Sequence, residues 1–408
     1  MKPAGPIPEG FGAIDGELAI AGRKVSDLVN GTGGTPLFVY SRDFVRKRVA
    51  DLRAAMPRRV GIHYAVKANP FPPLVEEMRG LVDGFDVASG GELTLVLSAG
   101  ADPAAVSFAG PGKRDAEIEQ AITAGITLNL ESQGEARRAL VIAERLGITP
   151  RLAIRVNPDF ELRGSGMKMG GGAKPFGIDA KRVPALAREL IAGGAAWQGL
   201  HIFAGSQSLD ADAIIEAQAN ILELAGRLTE AIGTPLPKLN MGGGLGIPYF
   251  DRDAALDIRV IGRRLTERFD SLPAALEATA FSLELGRYLV GEAGVYLSRI
   301  LDRKESHGQI FLVTDGGLHH QLAASGNFGT VVRRNYPVAI ASRFTSEPEE
   351  EVNVVGCLCT PLDRLADQVL LPRAGEGDIV AIFCAGAYGA SASPFAFLGQ
   401  GPARETLV

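Results

Sequence analysis

Between residues 60 and 290, eight short runs of apolar and β-branched residues alternate with longer amphipathic stretches rich in Ala, Leu, Glu and Arg. Alternation of this kind marks strands joined by helices, and strands joined that way lie parallel. The strand candidates are 60–66 (VGIHYAV), 83–87 (DGFDV), 105–109 (AVSFA), 126–130 (ITLNL), 151–157 (RLAIRVN), 197–203 (WQGLHIF), 237–241 (PKLNM) and 281–284 (FSLE). Helical stretches fall at 90–99, 114–124, 133–146, 182–193, 209–233 and 252–275. The count and order predict an α/β fold built on a (β/α)8 barrel, with a doubly wound open sheet as the alternative.

Beyond residue 290 the texture changes. GVYLSRILDRKE, QIFLVTDGG, NVVGCLC and GDIVAIFCAGAY read as strands separated by turns, which predicts a β domain. GELAIAG and PLFVYS, within the first 40 residues, are strand-like too and are expected to join it. The predicted division is therefore 1–44 with the β domain, 45–290 as the barrel, and 291–408 as the C-terminal β domain. Residues 162–175, LRGSGMKMGGGAKP, lack apolar periodicity and are expected to form a mobile loop near the site.

Composition narrows the function. With 46% hydrophobic and 22% charged residues, the 408-residue chain is ordinary globular material. A net charge of -5 with dispersed basic residues gives no footprint for nucleic acid or anionic lipid. No apolar run reaches signal-peptide or membrane-spanning length, so a cytoplasmic location and no membrane partner are expected. Cys357, Cys359 and Cys384 form neither a disulfide framework nor a paired metal knuckle, and no metal is expected.

In a barrel of this kind the active site gathers where the strands end. Lys67 follows the first strand, Asp86 ends the second, Glu131 the fourth, Arg155 and Asn157 the fifth, and His201 and Phe203 the sixth. A lysine after an apolar strand is costly unless its charge is relieved, and Schiff-base formation with an aldehyde cofactor does that. A lysine reaching into solvent remains the alternative. Gly242-Gly243-Gly244-Leu245-Gly246 offers bare backbone N–H groups suited to a phosphate, with Gly205-Ser206 and Arg287 expected at the same barrel face. Glu284 suits a protonated pyridine nitrogen; a simple ion pair with Arg287 is the other possibility.

At HYAVKANP, FDVASGGEL, GLHIFAGSQ, NMGGGLGI, ELGRYLVGEAG, GCLCTPLD and GAYGASASPF, the chain resembles the fold-type III, alanine-racemase-like pyridoxal-phosphate decarboxylases. That group holds the diaminopimelate, ornithine and arginine decarboxylases, and the motifs run in its order from about residue 35 to 400. HIFAGSQ, DGGLHHQLAASGNFG and CTPLDRLAD are similar to the exosortase A system-associated branch and to enzymes that decarboxylate an aminoacyl group on a carrier protein. The resemblance implies that Lys67 forms the Schiff base, that Glu284 contacts the pyridine nitrogen, and that Ser206, Gly243, Gly244, Arg287 and Tyr388 bind the phosphate. Asp86, Arg155, His201 and Phe203 are expected around the cofactor. Cys359 is expected to cross a homodimer interface and protonate the α-carbon, with Asp315, Thr360 and Asp363 lining the substrate pocket.

Two departures bear on specificity. Where many relatives stack a histidine on the cofactor ring, this chain has Phe203, and His201 lies two residues earlier. Thr360 follows the expected catalytic cysteine where decarboxylases of basic amino acids carry an acidic residue, which argues against a substrate with a distal ammonium. The expected activity is thus decarboxylation of an amino acid or a carrier-bound aminoacyl group. The alternatives are a diaminopimelate or other free amino acid decarboxylase, an amino-acid racemase, or a non-catalytic cofactor-binding homologue.

Overall fold

The computed structural model describes all 408 residues except 165, 169 and 327–332, and the side chains of Met167 and Lys168 are outside the description. Two compact units are present: residues 48–246 with 255–286, and residues 1–47 with 247–254 and 287–408.

The first unit is the barrel. Its strands are β1 (Val60–Ala65), β2 (Gly84–Val87), β3 (Val106–Phe108), β4 (Thr127–Leu130), β5 (Arg151–Asn157), β6 (Ala196–Ile202), β7 (Lys238–Asn240) and β8 (Ala280–Leu285). Each pairs in parallel with the next, and β8 pairs with β1, so the sheet closes on itself. Closure settles the choice between barrel and open sheet in favour of the barrel.

Local chemistry explains where the helices start and stop. Ser89, Ser132 and Asp210 accept hydrogen bonds from the backbone N–H of Glu92, Glu135 and Ala213, capping helices Gly90–Ser98, Gln133–Leu146 and Ala211–Ile232. Gly147 and Gly233 end two of these in the left-handed conformation that glycine adopts without strain. The stretch expected as one helix over 252–275 forms only Ile258–Phe269, because Asp257 caps its start. Helices Arg42–Ala55 and Pro72–Arg79 complete the barrel's N-terminal part of the sequence. The glycine-rich segment predicted as a loop contains a short strand, Met167–Lys168, antiparallel to Gly205–Ser206.

The second unit is mostly sheet. Gly294–Ser306 is its long central strand, paired with Leu37–Tyr40, Gln309–Thr314 and Ile379–Ile382. PLFVYS thus joins the β domain as expected. GELAIAG does not join that sheet: Glu17–Ile20 lies in a separate three-stranded sheet with Gly12–Ile14 and Arg23–Lys24. Burial holds it in place, since Leu18 and Ile20 pack with Val25, Leu28, Val39, Val295, Leu297 and Phe383 in one apolar cluster. Each such side chain contributes roughly 1.5–3 kcal/mol when removed from water. Among the described residues, no helix is long and apolar enough to cross a membrane.

Candidate active site

Lys67 sits in a short turn, Val66–Ala68, that carries the chain off the end of β1. Its Nζ donates to Oε1 of Glu284 at 2.9 Å. Glu284 lies near the end of β8, next to β1 in the barrel wall, and its side chain is only 4% exposed while that of Lys67 is 45% exposed. His201 from β6 places Nε2 3.0 Å from the other oxygen, Oε2. Burial pushes the Glu284 carboxyl up, but the positive charge of Lys67, with the close approach of His201, overrules it and holds the group well below the usual carboxylate range. The Phe203 ring lies 5.7 Å from the Lys67 ammonium and meets His201 edge-on, with centroids 6.4 Å apart. Lys67, His201, Phe203 and Glu284 are therefore brought together, and Glu284 is paired with Lys67 rather than left to the alternative partner considered from the sequence.

The glycines after β7 are shaped by close approach. A Cβ on Gly243 would stand 2.2 Å from the Glu284 carbonyl oxygen, and one on Gly244, at φ +101°, would stand 2.8 Å from Leu162 Cδ2. Gly242 anchors the run to the neighbouring strand, its carbonyl accepting from the Glu284 N–H at 2.9 Å. Gly244 in turn accepts from Ser208 N–H, tying the run to the segment that carries Gly205 and Ser206.

Two of the expected cofactor residues have protein partners. Arg155 donates from Nη1 to Glu131 Oε1 at 2.9 Å, both side chains nearly fully buried, and Gly177 N–H donates to the second oxygen of Glu131. Asp86 accepts from the Ser107 hydroxyl and from Asn240 Nδ2, and lies 3.3 Å from Nδ1 of His63. Sequence reasoning passed over His63 and Asn240. The period of two along β1 was the available signal, since it puts His63 on the same face as Ala65.

In the sheet unit, Arg287 donates from Nη1 to the Tyr249 hydroxyl at 2.8 Å, and its guanidinium lies 4.7 Å from the Tyr388 ring centroid. Its Nε is buried without a hydrogen-bond partner. Burial, opposed only in part by Arg287, pushes the Tyr249 hydroxyl up to about 12, so it stays protonated. Tyr249 was absent from the sequence expectations, and nothing in its local pattern marks it. Tyr388 has φ +56°, an uncommon conformation for a residue with a side chain.

Among the expected substrate residues, Cys359 is exposed, while Cys357 is half-buried and Cys384 buried. Asp315 accepts from the hydroxyls of Thr35 and Ser298 and from Arg299 N–H. Asp363 is 2% exposed, with its two oxygens accepting from the N–H groups of Leu318 and Leu358. It therefore pins the segment before Cys359 to the segment after Asp315. Thr360 closes the same turn, its hydroxyl accepting from Leu362 N–H at 3.4 Å.

These residues fit pyridoxal phosphate. A lysine amine stands against a buried, ionised carboxylate beside the Phe203 ring, and a glycine run with no room for side chains follows β7.

Comparison with known proteins agrees. Residues 42–291 match the family described as pyridoxal-dependent decarboxylase, pyridoxal binding domain. An L-glutamyl-[BtrI acyl-carrier protein] decarboxylase of Niallia circulans is 36% identical over 91% of this chain and 88% of its own length. A diaminopimelate decarboxylase of Methanothermobacter thermautotrophicus is 33% identical over 93% and 87%. The crystal structure of diaminopimelate decarboxylase from M. jannaschii in co-complex with L-lysine superposes with a TM-score of 0.86 at 25% identity, covering 98% of this chain and 93% of the other. With a closed barrel, a lysine–glutamate pair at its strand ends and this likeness along nearly its whole length, the chain belongs to the pyridoxal-dependent decarboxylases.

Proposed function

We propose that the protein removes the α-carboxylate of an aminoacyl group presented on a carrier protein, and that it works in the cytoplasm as a homodimer whose partner subunit supplies Cys359. The observation that carries the decarboxylase chemistry is the contact of Lys67 with the buried carboxylate of Glu284. For the substrate, two features support the reading: the likeness to a carrier-protein glutamyl decarboxylase, and Thr360 in place of an acid that would attract a distal ammonium.

Lys67 would hold the cofactor covalently through its amine. Gly243, Gly244 and Ser206 would hold the phosphate on the barrel, their backbone and hydroxyl donors replacing water around the anion. Arg287, fixed between Tyr249 and Tyr388, offers a guanidinium N–H to the same kind of group. Glu284 would face the cofactor's ring nitrogen and keep it protonated, a task that needs the carboxylate ionised at neutral pH. When bound, pyridoxal phosphate supplies the electron sink for the pair left at the substrate α-carbon as carbon dioxide departs. Phe203 would offer an apolar face to the cofactor ring, and His201 orients Glu284. Cys359 Sγ donates the proton that replaces the carboxylate at the α-carbon. Asp363 acts at one remove by holding the Cys359 turn in shape.

The test is a carbon dioxide release screen over free amino acids and carrier-loaded aminoacyl groups, with Lys67→Ala as the control. Release from the carrier-loaded forms is expected, with loss of both the cofactor absorbance and turnover in Lys67→Ala. Turnover on free diaminopimelate, the substrate in the names of several relatives, would favour the second reading, a free amino acid decarboxylase. A change of configuration at the α-carbon without carbon dioxide would favour a racemase.

A further inference from the structure

The middle of the barrel is polar where barrels of this kind are filled by Val, Ile and Leu. His63, Asp86, Ser107, Asn129 and Asn240 form a connected cluster there: Asn129 Nδ2 donates to Ser107 Oγ at 3.1 Å, Ser107 and Asn240 donate to Asp86, and His63 Nδ1 lies 3.3 Å from Asp86 Oδ2. The space for His63 is built into the backbone, because a Cβ at Gly84 on the adjacent strand would stand 2.7 Å from His63 Nε2. A buried carboxylate needs compensation, and Ser107 and Asn240 are neutral. His63 is thus the contacting group that can bring Asp86 a positive charge.

Strand register places this pair beside Glu284 and just before Lys67 in the barrel. His63 is level with Glu284 on β8, and Asp86 is level with Ala65, two residues short of Lys67. From the other side His63 meets solvent, while Asp86 stays buried. A cavity of about 380 Å³ at the N-terminal mouth of the barrel is lined by His63 together with Arg59, Ser107, Asn129, Lys238 and Asn240. Among the described residues, the charged groups around His63 are Asp86 and Asp83 at β2, Glu284 on β8 and Lys238 on β7, with Arg59 and Asp102 lining the same cavity.

We propose that His63 is a positioning residue that acts through Asp86: protonated from the cavity at the far end of the barrel, it balances the Asp86 carboxylate and sets the electrostatic field under Lys67 and Glu284. The inference rests on the reading of those two residues as the cofactor site. Although burial alone would depress the imidazole, the Asp86 charge raises it above its ordinary value, which agrees with a charged pair.

Two measurements on the holoenzyme test this. In protein labelled at the histidine ring carbons, the resonance lost in His63→Gln is expected to titrate, and its midpoint is expected to fall in Asp86→Asn. A resonance that does not titrate, or whose midpoint ignores Asp86→Asn, overturns the proposal. The second readout is the pH midpoint of the bound cofactor's absorbance band. Removing the positive partner leaves the Asp86 charge uncompensated and favours protonation above it, so the midpoint rises in His63→Gln and in His63→Asn; in Asp86→Asn it falls. A role in filling space alone would not move the two midpoints in opposite directions, and coincident curves for parent and variants sink the idea. Failure to take up any cofactor would overturn the functional reading instead, and the His63–Asp86 charge pair would then stand or fall on the resonance.

Discussion

Glu284 is held from both sides, by Lys67 Nζ at 2.9 Å from one carboxylate oxygen and by His201 Nε2 at 3.0 Å from the other. The arrangement fixes the carboxylate before any ligand arrives and keeps it ionised in spite of burial. Lys67 must let go of Glu284 when its nitrogen is committed elsewhere, and His201 is placed to keep the carboxylate aimed when that happens.

Glu284→Gln keeps the shape and removes the charge. The expected result is a fall in carbon dioxide release of about 10²-fold or more with the cofactor still bound, since the electrostatic partner of the ring nitrogen is gone. Single-turnover kinetics followed at the cofactor absorbance checks it; an unchanged rate would remove Glu284 from the chemistry.

Gly243→Ala places a methyl 2.2 Å from the Glu284 carbonyl oxygen, which is backbone and cannot swing away. Overpacking of this kind costs roughly 1–3 kcal/mol. Cofactor affinity in equilibrium dialysis is expected to drop sharply, because the strand that moves carries Glu284, and the melting temperature should fall with it.

Arg155→Ala leaves Glu131 charged and buried without its partner. Breaking a buried pair in this way costs about 3–5 kcal/mol, whereas replacing both members with apolar residues is often neutral. Urea denaturation of Arg155→Ala and of the double variant Arg155→Met with Glu131→Leu checks this: the single change should be much the more damaging. Because Gly177 N–H also bonds Glu131, proteolysis within 158–177 should rise in the single variant.

Glu117 makes a pH-dependent contribution. Its carboxylate accepts from the Arg114 side chain, from Arg114 N–H and from Gly90 N–H, which together lower it to about 2. A carboxyl depressed in the folded state stabilises fully above its unfolded value, about 4.3, and the contribution is lost as pH falls toward 2. Glu117→Gln should therefore lower the melting temperature at pH 7, and the gap to the parent should close between about pH 4.3 and 2. A gap that is constant with pH would mean that shape, not charge, makes the contribution.

The sequence by itself determined the alternation of strands and helices, because the strands announce themselves as short apolar runs and caps such as Ser89 and Ser132 open the helices that follow some of them, whereas the closure that makes a barrel of them is a matter of tertiary pairing. It also singled out Lys67 and Glu284, since a charged residue at the end of an apolar strand is costly wherever that strand packs. GELAIAG falls in the β domain as expected but in a small sheet of its own, because apolar alternation says a segment is a strand and does not say which sheet it joins. Only the tertiary structure decided the partners. That Glu131 takes Arg155, that Asp86 turns to His63, and that Tyr249 meets Arg287 follows from which side chains the closed barrel and the sheet bring within reach, across separations of 24, 23 and 38 residues. Charge balance inside a fold is a property of neighbours in space, and sequence spacing carries no record of it.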